Sequence, residues 1–155
     1  MGNLIWHEYA RLVSVTATVY AVWAAFFGLM YRKFFWDFVG GTLRDPGGLQ
    51  PSKNAAVFIT LIVKLPIIQI FTMLLGVFIL CLELPLPALK SLSLYRSLVA
   101  RVVLLIFQAF LTILFYQGTN AAIWSMIAAG CYMRAINLGE IMADAKGNRG
   151  KTGAA

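Results

Sequence analysis

Four long apolar runs, at residues 12–30, 55–82, 98–116 and 120–136, are set apart by short polar stretches. None shows the two-residue alternation of a half-buried strand. As helices rising 1.5 Å per residue, the runs reach roughly the 25–30 Å of a hydrocarbon core, and the second exceeds it. A backbone in lipid must satisfy its own hydrogen bonds, so each run is predicted to be a helix. The expected fold is therefore all-α: a polytopic membrane protein with four transmembrane helices in a bundle. One domain covers 1–140, and a flexible basic cytoplasmic tail covers 141–155.

The connections differ in kind. "YQGTNA" (116–121) reads as a tight hairpin in which Gly118 turns and Asn120 caps the next helix, making spans three and four antiparallel neighbours and the tightest pair. Pro85 and Pro87 break the 82–97 connection into a surface excursion. In 31–54, Tyr31, Phe34, Phe35 and Phe38 fall on one helical face and Arg32, Lys33, Trp36 and Asp37 on the other. That pattern fits a short interfacial helix after the first span, and equally an aromatic belt at a helix end.

Composition supports the membrane reading. The chain of 155 residues is 61% hydrophobic and only 12% charged, about half the charged share of a soluble domain. The net charge of +7 belongs beside apolar spans, where lysine and arginine set orientation and meet lipid head groups, so no nucleic acid is expected. Eight cations (Arg11, Lys90, Arg96, Arg101, Arg134, Lys146, Arg149 and Lys151) lie on the side of the termini. Four (Arg32, Lys33, Arg44 and Lys53) lie opposite, which places both termini in the cytoplasm. The expected location is the endomembrane system or the plasma membrane. Cys81 and Cys131 read as small buried hydrophobes, with acylation of Cys81 the alternative.

Catalytic groupings are missing. His7 has no second histidine at zinc-helix spacing, and no phosphate-binding glycine loop or nucleophile elbow occurs. All six acidic residues lie outside or at the ends of the apolar runs, whereas a proton-coupled carrier usually needs an intramembrane carboxylate. The spans carry packing signals instead: Ala17, Ala21 and Ala25 with Ala24 and Gly28 in the first, and Ala121, Ser125 and Ala129 in the fourth. Lys64, Gln69, Thr72 and Gly76 share one side of the second span, and Arg101, Gln108 and Thr112 share a stripe on the third. These stripes are read as interior glue; the other reading is a substrate path. Lys64, two residues before Pro66, is expected to be an interfacial anchor at a kink.

The segment "EYARLVSVTATVYAVWAAFFGLMYRKFFWDFVGGTLRDPGGLQP" together with "FLTILFYQGTNAAIW" resembles a family of small fungal integral membrane proteins carried as a domain of unknown function. The resemblance implies a fungal, four-span protein and supplies no site residues. The function expected is non-enzymatic: an accessory or organising subunit, or scaffold, of a membrane assembly. Its partners would be the lipid bilayer and either another membrane protein or further copies of itself. The alternative is a small oligomeric transporter or channel built on the polar stripes of spans two and three. No cofactor, metal or catalytic residue is expected. The candidate intramembrane polar and packing residues are Lys64, Gln69, Thr72, Arg101, Gln108, Thr112 and Ser125.

Overall fold

The computed structural model describes residues 4–33, 53–84, 86 and 93–142, which form helices and their connections and contain no strand. The proposed 34–38 part of an interfacial helix and most of the basic tail lie outside them; residues 31–33 are not helical. Four long helices form the body: α1 (Trp6–Met30), α3 (Ile67–Glu83), α5 (Leu98–Ile113) and α6 (Thr119–Asn137). Between them lie two short helices, α2 (Ala56–Ile59) and α4 (Ser93–Arg96). Around the bundle the order is α1, α3, α5, α6, and back to α1. The helices run alternately up and down, as short connections between neighbours favour. α6 packs as extensively against α1 as against α5, so the α5–α6 hairpin is not the single tightest pair that the sequence suggested. The reason is the alanine content of α1: Ala10, Ala17, Ala21 and Ala25 are wholly buried, allowing close backbone approach.

The second apolar run is not one helix. A single turn of 3₁₀ helix (Lys53–Ala55), α2 and a π-helical turn (Thr60–Lys64) form an arm, bent 65° from α3. Pro66 explains the break. It has no N–H to give Ile62, and it pushes Leu65 into an extended conformation (φ −120°, ψ 115°). The Leu65 N–H reaches back five residues to the Thr60 carbonyl at 2.8 Å. The expected kink therefore exists, and it is sharp enough to leave α3 only 17 residues long.

The α5–α6 hairpin forms through a 3₁₀ turn at Tyr116–Gly118. Asn120 does not cap α6: Gly118 holds the cap position, and no side chain bonds the first turn. Gly118 has a negative φ of −83°, so it is not there for left-handed geometry. A Cβ at this position would lie 2.0 Å from the Thr112 carbonyl oxygen, and only glycine lets the chain pass so close. The same end is closed by bonds from the Tyr116 N–H to the Lys33 carbonyl (3.1 Å) and from Gln117 Nε2 to the Tyr31 carbonyl (2.6 Å).

Two apolar clusters fill the interior. One gathers Val13, Ile79, Val102, Leu105, Ala128 and Tyr132 towards the end holding both termini. The other gathers Ala24, Ala25, Ile62 and Phe115 at the opposite end. The bundle's exterior, by contrast, carries large apolar side chains along every long helix, among them Leu12, Trp23, Phe71, Leu74, Val103 and Met126.

Candidate functional site

Polar side chains run through the bundle from end to end. At the terminal end, α6 finishes with Gly139 in the left-handed region (φ 67°). The Gly139 N–H bonds the Ile136 carbonyl (2.9 Å) and the Glu140 N–H bonds the Ala135 carbonyl (3.0 Å), a Schellman closure. That reversal carries the Glu140 carboxylate onto the start of α1. There it accepts the backbone N–H groups of Trp6 (3.0 Å) and His7 (2.8 Å) and lies 2.9 Å from His7 Nδ1. α1 has no cap of its own; its cap comes from 133 residues away in the chain. Burial pushes the Glu140 carboxyl up, but the His7 and Trp6 N–H groups and the His7 ring outweigh it and hold it below its ordinary value.

Further in, four helices meet at Glu83. Its carboxylate accepts from Ser14 Oγ of α1 (2.7 Å), Tyr132 Oη of α6 (2.8 and 2.9 Å) and Arg101 Nη1 of α5. Arg101 also donates through Nη2 to the carbonyls of Leu82 (2.8 Å) and Tyr95 (3.0 Å), so it ties the end of α3 to α4. Its guanidinium lies 5.6 Å from the Tyr95 ring centre and 5.8 Å from that of Tyr132. Glu83 is 1% exposed and Arg101 2%. A pair this deep holds only because nearly every lone pair and proton has a partner.

Between the apolar clusters, Gln108 Nε2 donates to Ser125 Oγ (2.9 Å), which donates to the Ala121 carbonyl (2.6 Å). The single Ser125 proton is thus committed, which fixes the orientation of the Gln108 amide. Its Oε1 is buried without a hydrogen-bond partner. Thr18, Thr72 and Thr112 bond carbonyls four residues back in their own helices, which neutralises their hydroxyls. Gly76 admits α1 here: a Cβ would fall 2.7 Å from Val22 Cγ2. Lower still, Gln69 Nε2 donates to the Ile62 carbonyl (2.9 Å) and the Gly28 carbonyl (3.4 Å). The first is the acceptor that Pro66 leaves without its helical partner, so Gln69 closes the elbow.

Six of the seven candidate residues are accordingly buried: Gln69, Thr72, Arg101, Gln108, Thr112 and Ser125. Lys64 is exposed on the outer side of the elbow and does not join them. Sequence reasoning missed Glu83, Ser14, Tyr132 and the His7–Glu140 contact. An arginine inside an apolar helix demands an anion, and Glu83, ending the preceding run, was the signal. Tyr132 follows Ser125 and Ala129 on the same stripe of α6, and a buried tyrosine hydroxyl needs a partner.

Among the described residues, no three His, Cys, Asp or Glu side chains come together to hold a metal. The grooves lie on the outside and are chiefly apolar, such as the one between α1 and α3 lined by Val22, Trp23, Phe26, Met73 and Val77.

Fold and interior together define a small all-α bundle pinned by a buried polar column. The chain belongs to the family described as Domain of unknown function (DUF7727), whose model matches residues 1–140. No curated protein and no solved structure matches it.

Proposed function

We propose that the chain is a four-span integral membrane protein that acts by binding, as a non-enzymatic accessory or organising subunit of a membrane assembly. The supporting observation is its inverted distribution of polarity. Arg101, Glu83, Gln69 and Gln108 are buried, while Trp23 (63% exposed), Leu12 (68%), Leu74 (64%) and Val103 (60%) face outward. Water would penalise both halves of that arrangement, and lipid favours both. α1, with 25 residues, is long enough to cross. α3 and α5, with 17 and 16 residues, correspond to roughly 24–26 Å, which suits a thin bilayer or local thinning around the protein.

The interior favours a scaffold over a conduit, because its charges are paired with one another and its hydroxyls donate to Glu83 or to backbone carbonyls. The transporter reading draws on one observation, the unpartnered Oε1 atoms of Gln69 and Gln108. Two measurements decide. The protein should resist alkaline extraction from membranes, and in mild detergent it should co-purify with a reproducible partner or as a defined oligomer. A strictly monomeric, partnerless protein refutes the accessory role. Liposome flux that depends on Gln108 would establish the transporter instead.

A further inference from the structure

The arm Lys53–Lys64 meets the bundle only through its last turn, where Ile62 joins the lower apolar cluster, and it is bent away from α3. Only Ile62 along it is buried. Val57 (63% exposed), Phe58 (40%) and the adjoining Leu65 (54%) present bare apolar surface, and Lys53 and Lys64 flank it, both exposed. Twelve helical residues extend roughly 18 Å. Bent 65° from α3, an arm of that length rises only about 8 Å along the α3 axis, comparable to the depth at which surface helices sit.

Its setting is cationic. Arg32 is exposed beside the elbow, its Nη1 donating to the Lys64 carbonyl at 3.2 Å. The described carboxylates, Glu8, Glu83 and Glu140, all belong to the opposite end, near the termini. Over residues 31–65 the sequence carries five cations (Arg32, Lys33, Arg44, Lys53 and Lys64) against two carboxylates, Asp37 and Asp45. An apolar helix lying near the membrane plane with ammonium groups at both ends matches a surface with acyl chains below and negative charge above. The elbow holds it there: Gln69 fills the carbonyl of Ile62 and Arg32 that of Lys64.

We propose that the arm lies in the headgroup layer and binds anionic phospholipid through Lys53 and Lys64, an inference that rests on the membrane reading above. The test uses the full chain in phosphatidylcholine bilayers, with spin-labelled phosphatidylserine or phosphatidylcholine as the probe of lipid held at the protein surface. Phosphatidylserine should be selected by about twofold or more, in a salt-sensitive manner. Lys53→Gln/Lys64→Gln should bring the ratio close to one, and Arg96→Gln at the other end should not. A photo-crosslinking residue at position 58 should mark lipid. A ratio of one in the native protein, an unaffected double variant, or crosslinking of position 58 to a protein or to a second copy overturns the proposal. Release of the chain by alkaline carbonate is a different result: it removes the membrane reading, and this inference with it.

Discussion

Replacing Arg101 by leucine would leave the Glu83 carboxylate with only the hydroxyls of Ser14 and Tyr132 as donors. Replacing Glu83 by leucine would leave a guanidinium, 2% exposed, with only the Leu82 and Tyr95 carbonyls and the weak 3.5 Å contact to Tyr132 Oη. Either single change strands a buried charge, for which the expected cost is about 3–5 kcal/mol. Removing both charges leaves no stranded ion, so the double variant should recover a large part of the summed loss. The coupling energy should be about 2 kcal/mol or more. The measurement is equilibrium unfolding in mixed micelles, followed by far-ultraviolet circular dichroism, for the native protein, both single variants and Glu83→Leu/Arg101→Leu. Additive single effects, or single losses under about 1 kcal/mol, would refute the pair as the bundle's central fastening.

Four further outcomes follow from the other layers of the column. Glu140 is held below its ordinary value, so the stability it adds is present above the normal carboxylate range and is lost as pH falls below about 4. Glu140→Gln should abolish that part of the acid sensitivity, and an unchanged acid profile would rule out the cap. Gly139→Ala keeps open space around its Cβ but forces a left-handed alanine, so unfolding measurements should show a loss of about 1 kcal/mol. Ser125→Leu overfills a wholly buried site and strips the Gln108 amide of its acceptor, costing about 2–4 kcal/mol. Ile127→Leu, at a site 43% exposed, should stay within about 0.5 kcal/mol; equal midpoints in detergent would contradict the seam. Gln69→Leu should speed hydrogen exchange in residues 53–65 more than in α5, since it frees the Ile62 carbonyl; uniform exchange would show that the elbow needs no clasp.

Much of the helical plan was legible, because apolar runs and proline positions report directly on the backbone. Ala17, Ala21, Ala25, Ala121, Ser125 and Ala129 were readable as buried, since small residues at four-residue spacing have one economical use in helix packing. The polar stripes were readable too, from period alone. Partners were not, because pairing depends on rotation of one helix against another, which no single run encodes. Glu83 looked like a boundary residue and His7 showed no partner at zinc-helix spacing, yet both are buried. Asn120 looked like a cap, but the close pass of Gly118 over Thr112 sets the helix start two residues earlier. The charge count also changes with the structure. Arg101 is consumed by Glu83, and Lys64 lies at the end opposite the termini, so eight cations against four become seven against five. Protease access to a tag on the tail in sealed vesicles is therefore the direct measure of orientation.

The composition of the interior explains why the chain spends polar groups inside. Its largest fully buried side chains mix Arg101, Tyr132, Gln69, Gln108 and Glu83 with Phe115, Ile62, Ile79, Leu82 and Leu105, and many of the smaller buried residues are alanine. In water, burying large apolar side chains would drive such a fold, and a core that shares its interior with this many polar groups and alanines would contribute less than a wholly apolar one. In the bilayer setting proposed above that drive vanishes, because a leucine gains nothing by exchanging acyl chains for another leucine. Contact then has to come from small residues that let backbones approach, and register from polar groups that have one satisfying arrangement. Alanine seams on α1 and α6 meet the first need, and the layers at Glu140, Glu83, Gln108 and Gln69 meet the second. The same logic assigns the exterior its role. Trp23, Phe26, Met73 and Val77 line a groove whose apolar walls cost nothing to leave against lipid and can be covered by another helix without stripping water from polar groups. A bundle fastened from within keeps its outer surface available for association, and the interior therefore supports the proposed accessory role as much as the surface does.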